Sequence, residues 1–428
     1  MRQMKDSGIA WIGEIPAEWE LRKGKYLFSQ RSEKGNTKEL QLLSPTQKYG
    51  VVPQSVYEEL SGMKAVKLDE SADYSSLKSI YEGDFCISLR SFQGGFEYSK
   101  YNGVVSPAYQ VFYKAVPLCD DYYRYMFKDQ GFIAKMTSFT RTFRDGKSIS
   151  FSDFADSLIP VPTIEEQRRI ADFLDTECAR IDAVIEKTRA SIEEYKKLKQ
   201  SVITEAVTKG IRPGRKMKDS GIEWIGEIPE EYTVQRIKHL GSYRNGLTYS
   251  PEDICDEEQG TLVLRSSNIQ QGQLCYNDNV FVNTKIAENL YVQKGDIIIC
   301  SRNGSRELIG KCAVVENDLC ATFGAFMMMY RCDSPKYMYY ILNSDVFRYY
   351  LSTFLTATIN QLTGGNFGNM AIVYCGDEKE QSEIVAYLDS ETKQIDTLIA
   401  NKERLISELE SYQKSLIFEY VTGKKEAQ

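Results

Sequence analysis

A thirteen-residue segment near the start of the chain returns almost unchanged near its middle. Met4–Pro16 recurs as Met217–Pro229, with twelve of the thirteen residues identical and an offset of 213 positions. A second correspondence has an offset of 214, where nine residues between Gln167 and Ile192 recur between Gln381 and Ile406. A repeat of this length is far too long for a solenoid unit, so it indicates a duplicated module. The 428 residues are therefore expected to be arranged as domain, helix, domain, helix.

Two segments have the composition of long helices. Residues 165–208 and 379–421 contain no Gly or Pro and are rich in Glu, Lys, Leu and Ile. Apolar residues recur in both at heptad-like spacing, which favours packing of the two helices on each other, although each could instead pack on its own domain. One helix leads to the second domain and the other leads back, so we expect them to be antiparallel. The expected contact residues are Ile181, Val184, Ile185, Ile192, Leu198, Val202, Ile395, Leu398, Ile399, Leu405, Ile406, Leu409 and Leu416.

The regions between the matched ends diverge in sequence. Their short aromatic and β-branched runs, broken by Gly and Asn, indicate mixed domains. The predicted fold is α+β, with two tandem globular domains separated by two long antiparallel coiled-coil helices in a pseudo-two-fold repeat. The predicted boundaries are 1–162 for the first domain, 163–210 for a central spacer helix, 211–377 for the second domain and 378–428 for a C-terminal spacer helix.

The composition argues against several kinds of site. The ten cysteines form no Cys-x-x-Cys pair and His239 is the only histidine, so we expect neither zinc nor a disulfide framework. No polar-Pro-Pro-aromatic tetrapeptide for adenine methylation is present. Gly304–Cys312 and Gly364–Gly368 depart from phosphate-binding and dinucleotide-binding motifs. We therefore predict no catalytic residues and no metal in this chain.

Charge and hydropathy limit the partners. The net charge of −7 argues against a uniformly basic nucleic-acid binder but is compatible with a local basic face. No stretch approaches the roughly 18 apolar residues of a membrane helix. The first residues lack the pattern of a signal peptide. A cytoplasmic location without a membrane partner is expected.

Several motifs resemble those of type I restriction–modification specificity subunits. The resemblance covers essentially the whole chain, and the repeated helix-entry motif is its most specific part. The second copy departs from it at Ile372–Gly376, which lacks the prolines found at Pro160 and Pro162. The motifs are Lys5–Pro16, Leu43–Pro53, Leu89–Gly95, Ile159–Asp175, Leu264–Ile269, Thr322–Phe326 and Thr358–Thr363.

This resemblance implies a non-catalytic role in DNA recognition. Each domain would bind one half of a bipartite site on double-stranded DNA, and the helices would set the gap. Two methyltransferase subunits would carry the adenine methylation, and a restriction subunit can join them. This chain would hold no cofactor, because S-adenosylmethionine and ATP would belong to the partners. The alternatives are a stand-alone DNA-modifying enzyme and a purely structural coiled-coil adaptor.

The candidate DNA-binding residues lie in predicted loops. Arg pairs with guanine, Asn and Gln pair with adenine, and small polar groups bind phosphates. Arg90 and Arg302 follow matched strand-like runs, so a structural ion pair is their alternative role; for the others it is a solvated loop. About 30 helical residues span roughly 45 Å, which predicts half-sites about one DNA turn apart or slightly more. The candidates are Gln47, Lys48, Tyr49, Arg90, Ser91, Phe92, Gln93, Arg141, Arg144 and Lys147 in the first domain and Arg265, Ser266, Ser267, Asn268, Arg302, Asn303, Ser305, Arg306, Asn360 and Gln361 in the second.

Overall fold

The structure, a computed structural model, divides into two units. It describes residues 2–35, 40–63, 77–87, 95–139, 149–355 and 360–427. The first unit comprises Met1–Thr188 with Arg404–Gln428, and the second comprises Arg189–Glu403. The long helices α5 (Ile164–Lys209) and α9 (Glu378–Val421) each contribute one part to both units. Each unit therefore combines one globular domain with a segment of each long helix.

The first domain is built around a four-stranded antiparallel sheet. Its strands are β1 (Met4–Asp6), β2 (Glu14–Pro16), β3 (Glu20–Lys23), β4 (Phe28–Arg31), β5 (Leu43–Thr46), β6 (Gly50–Pro53), β7 (Lys78–Ile80), β8 (Phe85–Ile87), β9 (Phe96–Tyr98), β10 (Gly103–Val105), β11 (Gln110–Lys114) and β12 (Leu158–Val161). Its short helices are α1 (Gln54–Ser61), α2 (Asp120–Met126), α3 (Gln130–Ser138) and α4 (Phe151–Asp156). The central sheet has the order β4-β11-β8-β9, and β3 pairs with β12 just before α5. Buried phenylalanines fill the space between this sheet and the short helices.

The second domain repeats this arrangement. Its strands are β13 (Met217–Asp219), β14 (Glu227–Pro229), β15 (Thr233–Arg236), β16 (Gly241–Asn245), β17 (Ile254–Cys255), β18 (Thr261–Leu264), β19 (Ile269–Gln270), β20 (Gln273–Leu274), β21 (Phe281–Val282), β22 (Ile297–Cys300), β23 (Cys312–Val314), β24 (Ala321–Phe323), β25 (Met327–Cys332) and β26 (Ala371–Tyr374). Its short helices are α6 (Pro335–Leu342), α7 (Asp345–Phe354) and α8 (Gly364–Asn369). The central sheet β16-β25-β22-β23 matches the first in order, and a second sheet, β17-β21-β18-β24, contains the parallel pair β18 and β24. The duplication thus extends through the middle of each copy, where the sequences have diverged.

The long helices pack on each other within each unit. In the first unit Gln413 donates a hydrogen bond of 3.0 Å to Asp182, and the rings of Phe173 and Tyr420 stack with centroids 4.3 Å apart. The residue numbers rise on α5 as they fall on α9, so the segments are antiparallel. Burial of Ile181, Ile185 and Leu416 along the same seam adds an apolar contact.

The second unit has an equivalent seam. Lys199 donates hydrogen bonds of 2.6 and 2.7 Å to the Asp396 carboxylate, and the Lys402 ammonium lies 5.5 Å from the ring centroid of Tyr195. The pair Asp396 and Lys199 stands at the positions of Asp182 and Gln413 when the copies are superimposed at an offset of 214. The prediction of two long antiparallel packed helices is therefore confirmed.

Four residues predicted for this contact are instead exposed, and that part of the prediction is wrong. They are 42 to 49% exposed: Val184, Leu198, Leu398 and Leu405. From Ile181 to Val202 a series of buried or half-buried positions of α5 follows alternating steps of four and three residues. Each exposed residue lies one position before such a seam position, and one helical residue is a rotation of about 100°. The remaining predicted residues are buried or half-buried: Ile181, Ile185, Ile192, Val202, Ile395, Ile399, Ile406, Leu409 and Leu416.

The two polar seam contacts differ in charge, which gives a test of their contribution. The substitution Lys199→Gln gives the second seam the Asp–Gln pair of the first. We expect it to cost about 0.5 kcal/mol at low salt, because Lys199 and Asp396 are 32% and 55% exposed and a surface ion pair is weak. High salt should remove the difference, since it screens exposed charges. Thermal unfolding at two salt concentrations measures it, with Asp182→Asn as the salt-insensitive control. A loss that is equal at both concentrations would contradict the ionic contribution.

A buried cluster joins the first domain to the start of α5. The Glu166 carboxylate accepts a hydrogen bond of 2.9 Å from the Trp19 indole and forms an ion pair of 2.6 Å with Arg2. The Arg2 guanidinium also lies 5.6 Å from the Trp19 ring centroid. Since Trp19 is fully buried, this cluster fixes the direction in which the helix leaves the domain.

The same cluster recurs at the start of α9. The Glu380 carboxylate accepts a hydrogen bond of 2.6 Å from the Tyr232 hydroxyl and forms an ion pair of 2.7 Å with Arg215. The Arg215 guanidinium lies 5.5 Å from the Tyr232 ring centroid. The helix α9 begins at Glu378 without the prolines that precede α5, and the Glu380 cluster ties its first turn to the second domain.

Candidate nucleic-acid interface

A groove of about 1160 Å³ opens on the second domain, where several strands end. Its polar lining comes from the segments that follow β18 and β22 and from the residues that precede α8. The turn between β24 and β25 supplies an apolar wall. The groove brings together seven of the ten candidates of this domain: Arg265, Ser266, Ser267, Arg302, Asn303, Asn360 and Gln361.

Arg302 combines a fixed backbone with an exposed side chain. It follows the buried strand β22, and its amide donates a hydrogen bond of 3.1 Å to the Phe326 carbonyl. Its backbone also forms an isolated antiparallel bridge with Gln361. The guanidinium lies 5.2 Å from the Phe326 ring centroid. Among the residues described, no carboxylate lies within ion-pair distance of it, so the structure does not support an ion pair as its role.

A different pair of residues supplies the structural ion pair of each sheet. Arg31 on β4 forms hydrogen bonds of 2.7 and 2.9 Å with Asp84, which precedes β8. In the second domain Arg331 on β25 forms hydrogen bonds of 2.6 and 2.7 Å with Asp296, which precedes β22. Burial raises the pKa of Asp84 above its ordinary value, although the hydrogen bond from Arg31 acts in the opposite direction.

Arg265 lines the groove, and its guanidinium is paired with a neighbouring carboxylate. Its guanidinium lies 2.9 Å from the Asp278 carboxylate and donates a hydrogen bond of 3.1 Å to the Asp278 carbonyl. The neighbouring hydroxyl of Ser266 accepts a hydrogen bond of 3.1 Å from the amide of Asn303. These contacts order the wall of the groove and leave the exposed hydroxyl of Ser267 at its edge.

The prediction that Asn268 contacts DNA is wrong. Its side chain is fully buried, and its Nδ2 donates to the Cys275 carbonyl at 3.0 Å and to Asn279 at 3.2 Å. Its Oδ1 accepts a hydrogen bond of 2.9 Å from the Arg265 amide. A short polar side chain after a strand can satisfy the backbone of a loop, and here it holds the turn that presents Arg265.

Two further candidates of the second domain lie outside the groove lining. Ser305 and Arg306 are exposed, and the guanidinium of Arg306 donates a hydrogen bond of 3.4 Å to the Ser352 carbonyl. The Ser305 amide donates to the side chain of Asn303 at 2.9 Å, so its backbone contributes by orienting a groove residue.

The prediction from the sequence missed two aromatic residues of the groove. Tyr249 and Phe326 both line it, and Phe326 is 58% exposed. In the second domain the predicted residues were basic, amide and hydroxyl side chains, and no aromatic ring was among them. The signal was the turn Gly324–Phe326, which directly follows a buried strand and carries a large exposed side chain.

The candidates of the first domain are described only in part. Gln47, Lys48 and Tyr49 form the tip of the hairpin between β5 and β6, where the Lys48 ammonium lies 5.1 Å from the Tyr49 ring centroid. Lys128, whose ammonium is 2.6 Å from the buried Glu97 carboxylate, also donates to the Gln47 carbonyl at 3.3 Å. The remaining candidates lie outside the described residues: Arg90, Ser91, Phe92, Gln93, Arg141, Arg144 and Lys147.

Neither a membrane-spanning helix nor a metal-binding cluster occurs within the described ranges. No helix there is both long and apolar enough to cross a membrane. No group of three or more His, Cys, Asp or Glu side chains is placed there to hold a metal ion. The ten cysteines are free thiols, of which Cys320 is exposed.

Comparison with known proteins gives consistent matches. Residues 16–194 match the sequence model of the type I restriction modification DNA specificity domain. The chain is 25% identical over 298 residues to the type I restriction enzyme MjaVIII specificity subunit of Methanocaldococcus jannaschii, an alignment that covers 67% of each protein. It is 25% identical over 266 residues to the EcoKI specificity subunit of Escherichia coli K12, covering 58% of this chain and 54% of that protein. The aligned regions thus span about two thirds of one relative and about half of the other.

Solved structures share the fold over nearly the whole chain. A chain from structural work on complex assembly and conformational transition of the type I R-M system matches with a TM-score of 0.73 at 16% identity, covering 96% of this chain and 99% of that one. The HsdS subunit from Thermoanaerobacter tengcongensis matches with a TM-score of 0.50 at 16% identity, covering 96% and 98%. The first domain and the start of α5 thus match the type I restriction modification DNA specificity domain, and the whole chain shares the fold of these solved structures.

Proposed function

We propose that this chain is the DNA-recognition subunit of a type I restriction–modification enzyme and itself performs no chemistry. The observation that carries the proposal is the groove of the second domain, which gathers Arg, Asn, Gln and Ser side chains at the ends of several strands. These are the side chains that bind base edges and phosphates. The fixed strand ends hold them in place, as sequence discrimination requires.

The duplication supports a target in two unlike parts. The two domains share a sheet order and a junction with their helices, while their loops differ in sequence. The turn at Gln47–Tyr49 in one domain and the turn at Arg265–Ser267 in the other carry different donors and acceptors. Each domain would therefore bind its own half-site on double-stranded DNA, and the spacer helices would set the gap between the halves.

Exposed apolar residues of the long helices support binding of two equal partners. Val184 and Tyr412 are exposed in the first unit, flanking Asp182 and Gln413 in sequence. Leu198 and Leu398 are exposed in the second unit and are the counterparts of Tyr412 and Val184 at an offset of 214. We define each exposed pair as one apolar patch. Each patch would receive one methyltransferase subunit, because an exposed apolar patch is a favourable surface for a protein partner.

The chemistry would then lie on the partners. The methyltransferase subunits would bind S-adenosylmethionine and methylate adenine, and a restriction subunit with its ATP would join the same complex. Such an assembly would act on DNA in the cytoplasm.

Charging one apolar patch should remove one partner. The double substitution of Val184→Asp and Tyr412→Asp is expected to reduce the complex from two methyltransferase subunits to one, because a buried unpaired carboxylate opposes association. Native mass spectrometry of the co-expressed complex counts the subunits. Leu405→Asp is the matched control, because Leu405 is 42% exposed but its counterpart in the other copy is Ser191. Retention of two subunits by the double variant would refute this assignment.

The proposed function is tested by mapping methylated adenines in cells that express the chain with its neighbouring methyltransferase. Single-molecule sequencing should give one site with two unlike halves separated by an unspecified spacer. Replacing residues 1–162 with the first domain of a related subunit should change one half only. Methylation or cleavage by the purified chain alone would instead support an enzyme. DNA binding that ignores sequence, even with the methyltransferase present, would support a structural adaptor.

A further inference from the structure

We infer that Arg302, held in position by the ring of Phe326, is the specificity-determining residue by which the second domain recognises a guanine–cytosine pair. The inference rests on the proposed function and adds to it which residue reads which base. An arginine presents two parallel N–H donors to the O6 and N7 acceptors of guanine in the major groove, and this is the commonest specific contact to a base.

The first support is the rigidity of the Arg302 backbone. The Phe326 carbonyl accepts hydrogen bonds from the amides of Ser301 and Arg302 at 3.0 and 3.1 Å and from the Ser301 hydroxyl at 3.0 Å. On the other side the Leu362 amide donates to the Ser301 carbonyl at 2.7 Å. The strand end is thus clamped between two neighbouring segments, which fixes the point from which the side chain extends.

The second support is the ring of Phe326. It is 58% exposed on the groove wall, and the Arg302 guanidinium lies over it at 5.2 Å. A cation over an aromatic face is held by the ring quadrupole, while its N–H donors remain free at the edge. Phe326 therefore acts as a positioning residue that restricts the orientation of the guanidinium before DNA arrives.

The third support is that the Arg302 guanidinium is available to bind DNA. Arg265, the other arginine of the groove lining, has its guanidinium engaged by Asp278 at 2.9 Å. Arg302 has no such carboxylate within the described part of the chain. A guanidinium without a competing acid keeps both donors for a base, so Arg302 is better placed than Arg265 for bidentate readout.

The test uses the full chain in complex with its methyltransferase subunit. The methylation map of the wild-type complex gives the site, and a domain replacement identifies the half bound by the second domain. Binding is then measured on duplexes in which each guanine–cytosine pair of that half is changed in turn. We expect Arg302→Gln to lower the preference for one such pair by about five-fold to about one hundred-fold, the range for a bidentate contact.

Three matched variants separate the explanations. Arg348→Gln changes the same residue type at an exposed position on α7, outside the groove lining, and should leave the preference unchanged. Phe326→Leu should lower the preference at the same base pair as Arg302→Gln. Phe326→Tyr keeps the aromatic ring and should retain the wild-type preference. If Arg302 or Phe326 had a purely structural role, its substitution would weaken binding to all duplexes alike and would not change the preference at a single base pair.

Each outcome decides the inference. Equal loss of affinity by Arg302→Gln for every duplex would make Arg302 a phosphate contact and overturn it. It would also be overturned if the half-site contained no guanine–cytosine pair, or if the preference survived the substitution. In all of these cases a bipartite wild-type site would leave the proposed function standing. A wild-type complex without any sequence preference would instead refute the proposed function itself.

Discussion

Replacing Glu380 with glutamine is expected to lower the free energy of unfolding of the second unit by about 3 to 5 kcal/mol, the usual cost of breaking a buried ion pair. The Glu380 and Arg215 side chains are only 4% and 10% exposed, and the change leaves the Arg215 charge without its partner. Burial opposes ionisation of this carboxyl, but the hydrogen bonds from Arg215 and Tyr232 outweigh it and lower the pKa of Glu380. A lowered pKa stabilises the folded state above that pKa, so the difference should shrink as the pH falls through it.

Urea unfolding followed by hydrogen exchange in peptides from residues 211–377 measures this effect. Glu383→Gln is the matched control on the next turn of α9. Glu383 is 37% exposed and pairs with the 40% exposed Arg212 at 2.6 Å, so its loss should cost about 1 kcal/mol or less. Equal effects of the two substitutions would show that burial of the Glu380 cluster contributes nothing.

Replacing Gly423 with alanine is expected to release the end of α9 from the first domain at a cost of about 2 to 5 kcal/mol. Gly423 has a φ of +72°, a conformation that costs an L residue about 1 to 2 kcal/mol. A Cβ there would also stand 2.5 Å from Pro16 Cγ and 3.0 Å from the Trp19 ring. Both neighbours are rigid, so the overlap adds an overpacking cost of about 1 to 3 kcal/mol.

Hydrogen exchange in peptides from residues 410–427 measures the release. Gly221→Ala is the matched control, because Gly221 has a φ of +74° but no atom within 4 Å of the added Cβ. It should therefore cost only the backbone strain, about 1 to 2 kcal/mol. If Gly423→Ala cost no more than Gly221→Ala, the close approach of the helix end to Pro16 and Trp19 would be unimportant.

The repeat and the helices could be predicted from the sequence because they depend on local patterns. Twelve identities between Met4–Pro16 and Met217–Pro229, and long segments free of Gly and Pro, are sufficient for them. The face of each helix was harder to predict, because the seam includes polar residues. Lys199, Lys402 and Gln413 occupy seam positions, while apolar residues such as Val184 lie outside. Hydrophobicity alone therefore added exposed residues that lie one position before the seam.

The site was predicted by residue type but not by role. Arg265, Asn268 and Arg302 are all polar residues near a strand end, and nothing in the local sequence distinguishes their roles. Their roles depend on contacts with other segments. Arg265 pairs with Asp278, Asn268 is bonded to the backbone of its loop, and Arg302 lies against Phe326. The apolar wall was missed for the same reason, because Phe326 becomes part of the groove only through its contact with Arg302.

The two sheet ion pairs have a consequence for how such domains change their targets. Asp84 and Asp296 occupy the same place in the two copies, but the arginines that bind them come from different strands, β4 and β25. The acid is retained, and its partner has been exchanged without loss of the sheet order. A sheet whose aspartate can be paired with an arginine from either of two strands tolerates mutation of the residues around that aspartate. Evolution can therefore alter the loops at the rim while the scaffold beneath them endures.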